Sequence, residues 1–297
     1  MNNEKPSISI IGAGAAGTAL AIALHRKGYP IHAVASRSEA SAQRCASLVD
    51  APRTTTDLAL AAQSSEVVII ATPDGAIRQV CEQIARGNGF SGYQLVLHLS
   101  GALGAEELQS ARDCGAITLS FHPIQTLSDP QKGAELLIGS YFCLEGERAA
   151  IERGQALVSD LNGTALVISD QDKALYHAAL CMASNYLIVL QDMAVRMLEP
   201  TGIPREQALK ALLPLIQGSV DNLLHSGLPH ALTGPISRGD SQTLESHLRA
   251  MSALPKDLVA LYQSLGIEAV RVAREKGNLN PADARDILIL LEAPNQV

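Results

Sequence analysis

The chain reads as an α/β protein, with a doubly wound parallel sheet in residues 1–169 followed by an all-α region in residues 170–297. Three observations predict this. Short runs of branched apolar residues alternate with helical patterns as far as Ile168, which is the signature of repeated βα units. Several of those runs, Val67-Val68-Ile69-Ile70-Ala71 above all, are apolar at consecutive positions, as in parallel strands covered on both faces. After Ser169 the period becomes helical and no further convincing strand follows.

The first element runs from Ser7 into Gly12-Ala13-Gly14-Ala15-Ala16-Gly17: a strand, a glycine turn, then a helix over Ala15–Lys27 with Gly28 at its C-terminal cap. In that context Gly12 permits the tight turn, Gly14 lets the backbone approach a pyrophosphate, and Gly17 lets the helix pack close to the strand. Ala15 and Ala16 open the helix, whose free N–H groups and positive end meet the phosphates. A bare G-x-G-x-x-G also marks ordinary turns; the strand before it and the small-residue helix after it favour dinucleotide binding. The second strand, Ile31–Ala35, ends on Ser36-Arg37-Ser38, where NAD-binding chains of this plan usually carry an acid for the ribose 2′-hydroxyl. A guanidinium flanked by hydroxyls suits a 2′-phosphate instead. Charge-assisted hydrogen bonds of about 1.5–3 kcal/mol correspond to a preference for NADP over NAD of roughly 10- to 150-fold.

The strand ending at Ala71 leads into Thr72-Pro73-Asp74 at the carboxyl edge, where ligands sit in such sheets. Thr72 and Pro73 are therefore expected beside the cofactor, and Asp74 as a cap of the helix Ala76–Arg86. The strand Gln94–Leu99 ends on Ser100-Gly101, so Ser100 either touches nicotinamide or substrate or simply shapes a turn. Helix Glu106–Cys114 and strand Ile117–Ser120 lead to His122, which is either an acid, base or polar anchor facing the cleft, or a turn histidine bonded to nearby backbone. Gln125–Gly139 reads as an irregular excursion with a turn at Asp129-Pro130. Strand Tyr141–Leu144, helix Glu147–Leu161 and strand Ala165–Ile168 complete the first half.

Ser169-Asp170-Gln171-Asp172 has the form of a capping box and opens a helix expected to run to about Leu198, stopped by Pro200 and Gly202. Between Ala174 and Leu190 it is apolar on nearly every side, which predicts a central buried helix. Its polar exceptions, Lys173, His177 and Ser184 on one stripe with Asn185 alongside, are then either internally hydrogen-bonded or facing a cleft. A helix from Pro204 towards Leu224 contains Pro214, which should kink it. The loop Ala231–Gly239 carries Thr233, Ser237 and Arg238, a hydroxyl and guanidinium set suited to a substrate carboxylate, or else a mere helix entry capped by Asp240. Helices Asp240–Met251, Pro255–Lys276 and Pro281–Leu291 end the chain.

Composition narrows the function classes. At 297 residues and a net charge of −7, acids outnumber Lys and Arg, so no basic patch argues for nucleic acid. The five cysteines lack a C-x-x-C pair, which suits reduced thiols rather than disulfides or a zinc site, and no other metal-ligand spacing stands out. The longest branched-apolar runs, such as Ile287–Leu291, are too short to cross a bilayer, and the first residues lack the pattern of a signal peptide. A cytoplasmic enzyme with no membrane partner is the expectation.

Several stretches together resemble a known family. Ala71-Thr72-Pro73-Asp74, His98-Leu99-Ser100-Gly101 and His122-Pro123, together with the glycine turn, are similar to the Rossmann-like proteins that carry a C-terminal helical domain of unknown function. Lys173-Ala174-Leu175-Tyr176-His177, Ala183-Ser184-Asn185 and Leu232-Thr233-Gly234-Pro235-Ile236-Ser237-Arg238-Gly239-Asp240 extend the resemblance over most of the chain. That family is similar in plan to pyrroline-5-carboxylate reductases, β-hydroxyacid dehydrogenases and ketopantoate reductases, and some members resemble an alternative NADPH-dependent ketopantoate reductase. The resemblance implies hydride transfer from NADPH to a small carbonyl or imine compound, in a cleft between the domains, and a homodimer through the helical domain. β-Hydroxyacid dehydrogenases carry a catalytic Lys followed four residues later by Asn; here Lys173 is followed by His177, and Asn185 lies two turns on. Lys173 would protonate the nascent alkoxide while His177 or Asn185 orients the carbonyl or donates the proton. The rivals are an imine reductase of the pyrroline-5-carboxylate type and a non-catalytic NADP(H) sensor.

Overall fold

The computed structural model describes residues 4–63 and 65–293, in two compact units, Met1–Ala183 and Ser184–Val297. In the first unit β1 (Ile8–Ile11), α1 (Ala15–Arg26), β2 (Ile31–Ala35), α2 (Glu39–Ala46), β3 (Arg53–Thr55), α3 (Leu58–Ala62) and β4 (Val67–Ile70) follow one another. Next come α4 (Ile77–Arg86), β5 (Leu95–His98), α5 (Gln109–Asp113), β6 (Ile117–Pro123), α6 (Pro130–Leu137), β7 (Tyr141–Gly146), α7 (Arg148–Asp160) and β8 (Thr164–Val167). The unit closes with α8 (Lys173–Ala183).

The eight strands form one sheet in the order β3-β2-β1-β4-β5-β6-β7-β8, parallel throughout except where β7 runs against β6. The order 3-2-1-4-5-6 is that of a dinucleotide-binding sheet, with its topological switch between β1 and β4. Side-chain alternation explains the apolar runs: Ile8, Ile10, Val67, Ile69, Leu95 and Leu97 enter one core with Leu20, Leu24 and Phe121. Ile11, Val68, Ile70 and Val96 enter a second core, with Ile77 and Ile84, on the opposite face.

The excursion expected over Gln125–Gly139 is in fact largely helical. Asp129 accepts from the Lys132 amide at 2.8 Å and Pro130 occupies the first turn, so the expected turn is a helix start. This α6 packs on α1 closely enough that a Cβ on Gly133 would lie 3.0 Å from Ala19 Cβ. The short α2, β3 and α3 were also not evident in the pattern.

The long helix expected from Ser169 to Leu198 is interrupted. It opens as a 3-10 turn, Asp170–Asp172, with the Ser169 hydroxyl donating to the Asp172 carboxylate at 2.7 Å, and its backbone breaks at Ser184 (φ −115°, ψ −67°). Ser184 therefore does not continue the stripe of Lys173 and His177. Nor is this stretch a buried core helix: Leu175 is 75% and Met182 69% exposed. Asp170–Thr201 is long and apolar enough to cross a membrane by length and composition alone; the break at Ser184 divides it into two helices, the first of which begins at the buried Lys173.

The second unit is all helical: α9 (Asn185–Leu198), α10 (Arg205–Ser226, with Pro214 inside it), α11 (Ser241–Ala250), α12 (Lys256–Lys276) and α13 (Pro281–Glu292). One core gathers Leu244, Val270, Ala273, Ile287 and Leu291, and a second joins Met251, Leu258 and Val259 to Met193 and Met197 of α9. A largely apolar groove of about 750 Å³ lies along α9 and α10, lined by Leu187, Ile188, Val195, Leu209, Leu213 and Ile216 among others.

Candidate active site

Two constructions share the carboxyl edge of the parallel strands. The first is the glycine turn after β1. Gly12 has φ +111°, and an added Cβ would meet Ala71 O at 2.6 Å; a Cβ on Gly17 would meet Gly12 O at 2.3 Å. Both are therefore required by the fold itself. Gly14 differs: it is exposed, its φ is −79°, and a Cβ there would meet nothing within 4 Å. Gly14 N-caps α1 without any side-chain cap, and no acid stands in the first turn, so the leading amides of Ala15, Ala16 and Gly17 are available to an anion. Thr72, after β4, has a buried hydroxyl with no hydrogen-bond partner among the described residues. Ser36, Arg37 and Ser38 follow β2, with Arg37 and Ser38 exposed; Pro73 is exposed beyond Thr72. An uncapped helix end, an open glycine and an orphan hydroxyl fit a bound dinucleotide.

The second construction is a polar cluster where β5, β6 and α8 meet. Lys173, at the first position of α8, is only 2% exposed; its Nζ donates to Ser120 Oγ at 2.8 Å and to Ser100 O at 3.4 Å. The Ser120 hydroxyl in turn donates to Leu103 O at 3.2 Å. Burial pushes the Lys173 ammonium below its ordinary pKa. Its Nζ lies 5.6 Å from the ring centroid of Tyr176, a cation–π contact.

His122 lies within β6 rather than beyond it, paired in register with Cys143 of β7. The reading of a turn histidine bonded to nearby backbone fails: its Nδ1 is hydrogen-bonded to the Tyr176 hydroxyl at 2.7 Å. Burial first, then the charges of Lys173 and His177, pushes His122 down to about 4. His177 sits at a ring-centroid distance of 6.4 Å from His122, and its Nδ1 is buried without a hydrogen-bond partner among the described residues. A Cβ on Gly101 would lie 2.8 Å from both His122 Nε2 and His177 Nδ1, so the absence of a side chain there lets both rings close in.

Ser100 is spent on local structure. Its hydroxyl donates to Asp74 Oδ2 at 2.8 Å and accepts from the amides of Ala102 and Leu103, which is the turn reading. Asp74 is correspondingly tied to Ser100 and makes no helix-cap hydrogen bond. His98 supports the same turn: Ser100 N donates to its Nδ1 at 3.2 Å, so its Nε2 donates to Gly104 O at 2.9 Å, and burial drives its pKa down to about 4. Tyr176, Ser120 and His98 were not singled out from the sequence. The spacing of Lys173, Tyr176 and His177 at i, i+3 and i+4, one helical face, was the available signal for Tyr176. Beside the cluster, Glu106, Glu145 and Asp170 bring carboxylate oxygens within 4.8 Å of one another, with Glu145 accepting from the Ala105 amide at 2.6 Å.

Ser184 and Asn185 belong to the second unit, at the start of α9. In the loop before α11, Thr233 and Arg238 are exposed, and Ser237 is buried with its hydroxyl on Leu232 O at 3.4 Å. Asp240 caps α11 through the Thr243 amide at 3.0 Å, as its place in the sequence predicts.

Comparison with known proteins agrees with this architecture. Residues 1–123 match the Rossmann-like domain model, and residues 140–269 match a domain of unknown function, DUF2520. No curated protein sequence matches the chain. Among solved structures, a Bacteroides fragilis protein assigned as an NADP oxidoreductase is 26% identical over 90% of this chain and 99% of its own, with a TM-score of 0.70. A Thermotoga maritima protein is 24% identical over 91% of this chain and 99% of its own, at 0.73. A pyrroline-5-carboxylate reductase of Coxiella burnetii is 18% identical over 94% and 100%, at 0.62, a likeness of fold. The glycine turn, the sheet order and both domain matches agree on an oxidoreductase chain in which a Rossmann-like domain is joined to a DUF2520 domain.

Proposed function

We propose that this oxidoreductase uses NADPH to reduce a small carbonyl compound bearing a carboxylate, a 2-oxo acid of which ketopantoate is the first to test. The observation that carries the reading is the buried cluster of Lys173, Ser120, His122, Tyr176 and His177 on the same sheet edge as the open Gly14 turn. When bound, the nicotinamide supplies the hydride. Arg37, between Ser36 and Ser38, takes the 2′-phosphate, and Gly14, the leading amides of α1 and Thr72 hold the rest of the dinucleotide. Lys173, with two N–H groups committed to Ser120 and Ser100, holds the ends of β5 and β6 and stabilises negative charge developing on the carbonyl oxygen. His177, whose Nδ1 has no partner among the described residues, delivers the proton to the alkoxide, and His122 donates to the same oxygen. In the helical unit, Thr233 and Arg238 offer a hydroxyl and a guanidinium fork to a carboxylate. A homodimer through that unit accounts for its exposed Ile188 and Leu213.

The test is NADPH oxidation against ketopantoate, other 2-oxo acids and pyrroline-5-carboxylate, with His177→Ala and Lys173→Ala beside the wild type. Turnover of a 2-oxo acid, lost in either variant while NADPH still binds, is the expected result. Preference for the cyclic imine moves the protein to imine reduction, and tight NADPH binding with no turnover across the panel favours a cofactor-binding sensor.

A further inference from the structure

Tyr176 is half-buried and engaged by the cluster on several sides. Its hydroxyl is bonded to His122 Nδ1 at 2.7 Å, its ring stands edge-on to that imidazole (85° between planes), and Lys173 Nζ lies over the ring. Behind the hydroxyl is the Cys143 thiol, which the antiparallel register of β6 and β7 sets directly opposite His122. One phenol hydrogen thus has two neighbours. A thiol sulfur is a weak acceptor and a weak donor, whereas an imidazole nitrogen is a strong acceptor. The phenol therefore donates to Nδ1 and leaves the thiol to donate weakly to the phenol oxygen.

That choice determines the chemistry of the opposite edge of the ring. A neutral imidazole has one N–H, and with Nδ1 accepting, the hydrogen sits on Nε2. Nε2 is the atom that closes on Gly101 together with His177 Nδ1. We propose that Tyr176 is a positioning residue that fixes His122 as its Nε2–H tautomer, so that His122 offers a ligand oxygen a donor and never a lone pair. The bound oxygen is then an acceptor, a carbonyl or carboxylate oxygen, polarised by a neutral imidazole in the manner open to buried histidines. This rests on the reading of His122 as substrate-facing, although its central claim concerns the protein alone.

The experiment is long-range ¹H–¹⁵N correlation on the full-length protein with ¹⁵N-labelled histidine, without substrate, at pH 7.5, with the His122 signals assigned by their loss in His122→Gln. Wild type should show the Nε2–H pattern. Tyr176→Phe should relax it to a mixture with a measurable Nδ1–H population, and lower kcat about tenfold, the worth of one lost hydrogen bond, with the Kd for NADPH unchanged. Cys143→Ala should retain the wild-type pattern. An Nδ1–H wild-type His122, an unaltered pattern in Tyr176→Phe, or a switch in Cys143→Ala overturns the assignment. Because the wild-type spectrum needs no turnover, it is independent of the substrate panel: the tautomer stands or falls whichever carbonyl or imine is reduced.

Discussion

The glycine turn after β1 and the polar cluster at β5, β6 and α8 occupy the same edge of one sheet but are built by opposite means. The turn is made by leaving side chains out: a Cβ at Gly12 or Gly17 would strike backbone oxygen, and only at Gly14 is there room to spare. The cluster is made by burying groups that ordinarily stay in water, an ammonium and two imidazoles, and compensating them with Ser120, Tyr176 and a backbone carbonyl. In the first, local sequence is enough to set the backbone; in the second, distant segments must converge before any residue acquires a role.

The contrast can be broken most sharply at the glycines. Gly17→Ala should cost about 3 kcal/mol or more of stability, since its Cβ would sit 2.3 Å from Gly12 O and 2.7 Å from Ala71 Cβ. Gly14→Ala should leave thermal stability within about 1 kcal/mol of wild type while weakening NADPH. Denaturant midpoints beside NADPH titrations separate the two, and a Gly14→Ala protein as unstable as Gly17→Ala would erase the distinction between fold glycine and ligand glycine.

On the cluster side the prediction is a pH dependence. The folded pKa values of His122 and His98, both about 4, lie below the ordinary 6.5, so the unfolded chain binds protons more readily than the fold does. Stability should hold above about pH 6.5, fall as pH drops through the window from 6.5 to 4, and level off below it, by about 3 kcal/mol per histidine. Urea midpoints at pH 7.5 and 5 measure the slope, and His122→Gln should remove its share; a flat profile would mean that these imidazoles remain solvated.

Two smaller effects sharpen the same comparison. Arg37→Ala should weaken NADPH by roughly 10- to 150-fold and NADH hardly at all, by fluorescence titration of both; equal losses would remove the 2′-phosphate from Arg37. Asp129→Ala should cost about 1 kcal/mol, by thermal unfolding, through loss of the cap on α6.

The strands other than β3 and the glycine turn were legible because each such strand is a local apolar run and each glycine a local backbone requirement, whereas β3 is Arg53-Thr54-Thr55. The α6 helix was obscured because Asp129-Pro130 signals a turn and a helix start alike. The apolar pattern from Ala174 to Leu190 was misread as burial, since periodicity records that a face is apolar without recording what covers it. Lys173 and His177 could be picked out as polar exceptions on an apolar helix. Tyr176, equally at home in a core, could not, nor could Ser120, a small hydroxyl inside a strand.

The interruption at Ser184 also divides the chain chemically. Every side chain of the cluster, from His98 to His177, is encoded before it, and α8 is counted with the sheet although it begins where the helical composition begins. The cluster proposed to act on substrate and the long helices that follow thus lie on separate stretches of the chain, joined at a single backbone kink.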